Sequence, residues 1–449
     1  MDDDFGESSS TAPASSLLTC AFNQDGGCLA VGTTSGFSVH NLYPQYSLSV
    51  DRPLRGGIGR VEMLFRCNLM ALVGGGPTPH SAPHRVLIWD DHLPKEIGEL
   101  SFRQAVLQVK LRKDAIAVAL RDRVYVYHLA DLSLRDKIYT ADNPHGLLAL
   151  STQVQDMVLA CPSVTTGHVR VELYNMRKTV LLEAHDSQLR GLCLTASGSL
   201  LATASAKGTV LRVWNIATQS CLHEFRRGVE RATITCLAFS WDDQWLSCCS
   251  DKGTAHVFYC EQKQEEKKSS TSTASSLTKR FFSSSSKSQP KSVCQVRGVP
   301  HPLACAFVGD APNILAVAGW DADGNGVLLI SEFAAHQEAR RIAYHVLVKN
   351  GVEESEEERR RRRARGWRPS IPETPDHGFG NLQISEPAMN QLSTNDVEDE
   401  DFCEVLFETL PAPVIETKET PTATTTTTTT EHPVTDEHDE TGANNTTPT

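Results

Sequence analysis

The feature that most constrains this chain is a phrase that returns. Leu29-Ala30-Val31-Gly32 is echoed by Leu201-Ala202-Thr203-Ala204, by Leu246-Ser247-Cys248-Cys249 and by Leu315-Ala316-Val317-Ala318, each after an apolar segment ending in Phe22, Leu194, Phe239 or Phe307. The middle two continue into the same turn, Ser205-Ala206-Lys207-Gly208-Thr209 and Ser250-Asp251-Lys252-Gly253-Thr254, and then into strands carrying Trp214 and Phe258. From Trp214 to Phe258 the step is about 44 residues, the period of one four-stranded propeller blade. One such sheet cannot bury both faces by itself, so copies must stack around a common axis. Less regular units, Val61 to Trp89, Val106 to Tyr127 and Val158 to Tyr174, bring the count to seven. Between 15 and 348 there is almost no helical periodicity, and short alternating or β-branched runs are broken by Gly, Asp, Asn and Ser. The expectation is an all-β, seven-bladed β-propeller over 15–348.

The repeat falters once. After Phe258-Tyr259, where a fourth strand is due, the chain passes through 261–292, rich in Ser, Thr and Lys, with Leu277 and Phe281-Phe282 among Lys267, Lys268, Lys279, Arg280, Lys287 and Lys291. Such a segment has no core of its own. It is a long basic loop or a linker between two domains; the strands that follow, through Phe333, are needed to close the ring, which favours a loop. Residues 1–14 and 349–449 are expected to be disordered. The second stretch holds an acidic run, then Arg359–Arg363 and Arg365, then acidic and Thr-rich sequence.

Charge and composition remove whole classes of function. The formal net charge is −12, which argues against general nucleic-acid binding because phosphate neutralisation needs a basic field. Anion binding must therefore be local. The 13 cysteines are scattered without a Cys-x-x-Cys pair, the pattern of buried reduced thiols in a cytosolic protein. The acidic N-terminus is unlike a secretory signal, and no apolar run approaches about 18 residues. There is no Gly-x-Ser-x-Gly elbow, phosphate-binding P-loop or His-Glu-x-x-His, and His80 and His84 are read as solvent-exposed. The expectation is a non-enzyme with no cofactor and no metal.

Within this frame one stretch stands out, His223-Glu224-Phe225-Arg226-Arg227-Gly228, at the end of the fifth blade. Successive side chains of an extended backbone point to opposite faces, so Arg226 and Arg227 should diverge and serve two sites. The plain alternative is a solvated turn.

The chain resembles the PROPPIN family, seven-bladed propellers that bind polyphosphoinositides and include the WIPI proteins of autophagy, whose signature is Phe/Leu-Arg-Arg-Gly at this place. The resemblance extends to Phe22-Asn23-Gln24-Asp25, Gly74-Gly75-Gly76-Pro77, Val86-Leu87-Ile88-Trp89-Asp90-Asp91 and Ser250 through Phe258. It implies two phosphoinositide sites on the rims of blades five and six. The first would comprise Arg226, His185, Arg190, Ser205, Lys207 and Thr209; the second, Arg227, Arg231, Ser250, Lys252, Thr254 and His256. Which arginine serves which site is carried over from the family and could be swapped. Guanidinium groups suit the task, since they make bidentate charge-assisted bonds to phosphate. The resemblance also implies that 261–292 is a membrane-contacting loop, with Leu277, Phe281 and Phe282 entering the interface beside Lys279 and Arg280. It further implies that Asn23 and Asp25 contact the lipid-transfer protein of autophagosome growth. In the tail, Phe402-Cys403-Glu404-Val405 after an acidic run resembles the motif that adds a strand to ubiquitin-like autophagy modifiers. The function so implied is a cytoplasmic effector of phosphatidylinositol 3-phosphate and 3,5-bisphosphate. It would sit peripherally on preautophagosomal (phagophore), endosomal or vacuolar membranes. A generic protein-interaction scaffold of the WD-repeat type is the alternative.

Overall fold

The computed structural model describes residues 15–43, 45–153, 155–260, 291–309, 311 and 313–350, together with the backbone of 404–407. Seven antiparallel sheets follow one another: Leu17–Pro53, Ile58–Ser101, Gln108–Tyr139, Ala149–Glu183, Leu189–Arg226, Ile234–Arg297 and His301–Val348. Within each, four strands pair in chain order. The seven-bladed expectation is met, and the irregular second, third and fourth units are blades like the others.

The returning phrase has a simple cause. It is the second strand of a blade, with sheet on both sides and blades above and below, so nearly every position must be apolar and small or β-branched. Leu200–Ser205, Trp245–Ser250 and Ile314–Trp320 are buried along almost their whole length. Fourth strands face outward instead: Ser47–Pro53 and Arg340–Val348 show more than half their residues to solvent. First strands line a central channel of ≈ 1200 Å³.

Blades adhere through apolar faces. Between five and six, Ala202, Leu211 and Phe225 meet Ile234, Leu246 and Phe258. The seam between seven and one is built likewise, from Ala316, Trp320 and Leu328 against Leu17, Leu29 and Val31. Among the described residues no strand is exchanged across that seam.

Blade six contains the break in the repeat. Its third strand ends at Tyr259 and its fourth, Cys294–Arg297, pairs back onto it, with Thr254 opposite Arg297. The chain between them therefore returns to the same sheet, as a loop rather than a linker. Residues 261–290 themselves lie outside the described residues.

One element departs from expectation. Glu404–Phe407, within the stretch read as a disordered tail, forms a fifth strand on blade two, antiparallel to Lys95–Ser101, with Val405 opposite Leu100. The fourth strand of a blade is an open edge with unpaired main-chain groups, and a short apolar segment such as Glu-Val-Leu-Phe can add to it. Among the described residues no helix is long and apolar enough to cross a membrane.

Candidate anion sites between blades five and six

Phe225 explains why the two arginines can diverge. Its ring is 2% exposed and stacks on Phe258 of the next blade at 4.9 Å between centroids, and His223 also stacks on it, at 5.3 Å. The strand is thereby pinned at the blade boundary until its last residue, Arg226, opposite Val210.

Beyond that point the two arginines part. Arg226 is exposed and enters no ion pair among the described residues. Arg227 is 9% exposed. Its Nε donates to the carbonyl of Gly208 at 2.5 Å and an Nη to the carbonyl of Glu230 at 2.6 Å, while its amide donates to Thr209 O at 2.9 Å. Gly208 makes this seat possible. It has φ of +61°, and a Cβ there would stand 1.8 Å from Ala232 O. Arg227 is thus braced by main chain, whereas Arg226 projects from the rim.

The residues proposed for the first site are only partly brought together. Ser205 and Thr209 flank the turn that carries exposed Lys207, on the blade edge where Arg226 ends its strand. His185 is largely committed inside the blade: its ring Nε2 is 3.0 Å from Thr203 Oγ1, which also accepts from Trp214 Nε1 at 3.1 Å. Burial, then the nearby Arg212 charge, pushes the His185 pKa down to about 4. Arg190 sits on the innermost strand and lines the channel with His145 and Arg121. Burial lowers its pKa, opposed by Asp251 of blade six.

In the second site the grouping is tighter. Ser250 is fully buried and its Oγ has no hydrogen-bond partner among the described residues. His256 is 7% exposed, with Nδ1 3.2 Å from Ser292 Oγ. Its pKa is pushed down to about 4 by burial first, and then by the charges of Arg227 and Arg297. Lys252 is exposed and lies 3.9 Å from the Glu230 carboxylate; Arg231 and Thr254 occupy the loop and strand end beside it.

The shared Ser-x-Lys-Gly-Thr phrase suggested two copies of one pocket, but the turns differ. In blade five Ala204 pairs with Leu211, whereas in blade six Cys249 pairs with Ala255, so the second turn is one residue shorter. A one-residue slip sends every following side chain to the other face. His256, aligned in sequence with Leu211, consequently stands opposite Cys248, where blade five has Arg212 opposite Thr203. The slip also reveals a residue that sequence reading passed over. Arg297 closes the fourth strand of blade six opposite Thr254, the place Arg226 holds opposite Val210.

Elsewhere, Asn23 is 4% exposed; it accepts from Cys28 N of its own turn at 2.9 Å and donates to Phe65 O of blade two at 3.2 Å. Asp25 is more open and pairs with Arg66 at 2.9 Å. Leu277, Lys279, Arg280, Phe281, Phe282 and Phe402 lie outside the described residues, as does the Val405 side chain. The described residues hold no group of three or more His, Cys, Asp or Glu side chains suited to a metal ion.

The PROPPIN family model matches residues 16–310, from the first blade into the seventh. The chain belongs to the PROPPIN family. PROPPINs bind phosphoinositides as a family and are propellers without enzymatic activity. Similar curated proteins include autophagy-related protein 18e of Arabidopsis thaliana, 40% identical over 244 residues, 54% of this PROPPIN and 65% of that protein. SVP1-like protein 2 of Neurospora crassa is 38% identical over 245 residues, 54% and 56% of the respective chains. The match therefore spans less than two thirds of either relative's length. Among solved structures, Hsv2 of Kluyveromyces lactis superposes with a TM-score of 0.58 at 21% identity, covering 74% of this PROPPIN and 100% of that chain.

Proposed function

We propose that this PROPPIN is a peripheral membrane effector of autophagosome formation. It docks on phosphatidylinositol 3-phosphate and phosphatidylinositol 3,5-bisphosphate through two sites flanking Phe225-Arg226-Arg227-Gly228, and there recruits lipid-transfer and other autophagy machinery. One observation carries the reading: adjacent arginines leave one strand end for different surroundings, Arg226 at the open rim and Arg227 seated on two carbonyls beside His256. Gly228 supports it, since nothing lies within 4 Å of where its Cβ would be, leaving space for a headgroup at the motif.

Two weak headgroup contacts hold a protein on a bilayer better when a second signal joins them. The loop after Tyr259 supplies that signal in this reading, through Leu277, Phe281 and Phe282 with Lys279 and Arg280. Its outgoing root follows Tyr259, at the far end of the third strand from Lys252 and Thr254 and about 17 Å away for five residues of extended chain; its returning root, Ser292, lies against His256. Pockets and loop together then define an edge-on contact along the rim of blade six. A solved neighbour of 20% identity, Kluyveromyces lactis Atg21, is in complex with an Atg16 coiled coil. Together with half-open Asp25 and the Phe402–Val405 segment, it motivates testing protein partners separately from lipid.

Flotation of the full chain on vesicles tests the lipid reading. Arg226→Thr plus Arg227→Thr should abolish binding that depends on phosphoinositide; unchanged binding would leave the generic scaffold as the better account.

A further inference from the structure

We propose that Arg297 is a headgroup-contacting residue of the blade-six site, bringing that site to four cations against two at its neighbour and giving it a preference for an inositol ring with two phosphates over one. The inference rests on the lipid-binding reading above and goes beyond it by naming a residue and a specificity.

Three observations meet at Arg297. The first is register: Arg297 ends the fourth strand of blade six opposite Thr254, and Arg226 ends that of blade five opposite Val210. Each follows a buried apolar residue, Val296 or Phe225, and each is itself exposed. The second is an unused polar atom. Ser250 Oγ, fully buried at the foot of the Asp251–Gly253 turn, has no partner among the described residues, and a buried hydroxyl left unpaired is costly unless an outside group completes it. The third is convergence of charge. Arg227 from the preceding loop and Arg297 from the blade's own edge, two pairs along the ladder from His256, both act on the His256 ring, so two guanidinium groups lie near one small region. Gln295 Oε1 accepts from Arg297 Nη2 at 2.8 Å, holding the side chain in place while leaving its other donors to act.

Cation number then distinguishes the sites. On the rim of blade five, Arg226 and Lys207 are available, because Arg190 is drawn to the channel. Around blade six stand Arg227, Arg297, Lys252 and Arg231, with Lys252 held only at 3.9 Å by an exposed Glu230. A phosphate monoester carries about −1.5 to −2 near neutral pH. A second one on the ring therefore demands further donors, and only blade six has them.

The test is flotation of the full chain on vesicles containing phosphatidylinositol 3-phosphate or 3,5-bisphosphate, with bulk anionic lipid adjusted to equal total charge. It is paired with titration of water-soluble short-chain forms of both lipids, which separates headgroup recognition from attraction to a charged surface. Arg297→Gln should weaken bisphosphate binding about tenfold, the worth of one good charge-assisted contact. Monophosphate binding should fall less than about twofold, with the melting temperature unchanged. Arg226→Gln should weaken both. Equal loss on the two lipids, or none, overturns the assignment of Arg297 while leaving the Arg226–Arg227 reading intact. Wild-type protein that ignores both phosphoinositides overturns that reading, and this inference with it.

Discussion

Blades five and six are neighbours of similar sequence, yet they treat their polar groups in opposite ways. Blade five satisfies its own: His185, Thr203 and Trp214 bond to one another, and Arg212 bonds to Glu224 and to the carbonyl of Ala184. Among the described residues blade six keeps no such chain. Phe258 replaces the indole, Cys248 replaces the threonine, Ser250 Oγ is unpaired, and His256 lies between arginines. A blade that is internally bonded is a rigid post; one with unmatched donors is poised for an outside anion. The difference follows from one residue fewer in a turn and from a strand that resumes after a long insertion.

The heaviest blow to the comparison is removal of what both blades share. Phe225→Ala deletes a ring packed between them, and should cost about 3–5 kcal/mol in denaturant unfolding. It should weaken binding at both sites together; loss at one alone would separate the blades more than the packing implies. Next comes the arginine pair. Arg227→Ala leaves two buried carbonyls without their donor and should cost about 1–3 kcal/mol, whereas Arg226→Ala should stay within about 0.5 kcal/mol. Calorimetry on the two variants measures this directly, and equal costs would refute the division between brace and probe.

Acidity offers a subtler contrast. His185 and His256 are both depressed to about 4 against an unfolded value near 6.5. Between those values the unfolded chain binds more protons than the folded one. Their contribution to stability is therefore complete above about pH 6.5 and is lost as pH falls toward 4, on the order of 1–2 kcal/mol for each. A bound anion should raise the pKa of His256, facing Arg227, Arg297 and Ser292, more than that of His185. Imidazole proton shifts in an NMR titration, with and without short-chain bisphosphate, would register the difference. Smallest of all, Lys252→Ala breaks only a long, exposed contact with Glu230 and should alter stability by less than about 0.5 kcal/mol. Any binding loss on that background belongs to the ligand.

Much of this was legible in the sequence because burial imposes composition. The second strands are enclosed on all sides, so Leu201–Ala204 and Leu315–Ala318 had to look alike, and alternation alone sent Arg226 and Arg227 apart. What escaped notice depended on register and distance along the chain. Ser205–Thr209 and Ser250–Thr254 read as duplicates, and only the strand pairing exposes the missing residue that moves His256 to another face. Arg297 was hidden because the insertion separates it from the strand it completes. His185 and Asn23, expected at sites, have side chains bonded to neighbouring groups of the protein, a feature no local spacing encodes.

The undivided blades have a mechanical consequence. A propeller whose last sheet borrows a strand from the other end of the chain is stitched shut by a hydrogen-bonded ladder. Here the junction of blades seven and one is instead a lap joint: Leu17, Leu29 and Val31 lie against Trp320 and Leu328, with Tyr46 stacked on His345 at 3.6 Å between ring centroids. Parting it breaks no main-chain ladder among the described residues, only a single main-chain hydrogen bond from Gly309 N to Asp25 O, and wets mostly apolar surface, so resistance to opening there scales chiefly with area. The seam is thus joined by packing, as blades five and six are, whereas the boundaries of blades one and two and of blades two and three add the Arg52–Asp91 and Lys110–Glu62 ion pairs, so the plates of the ring are not fastened alike.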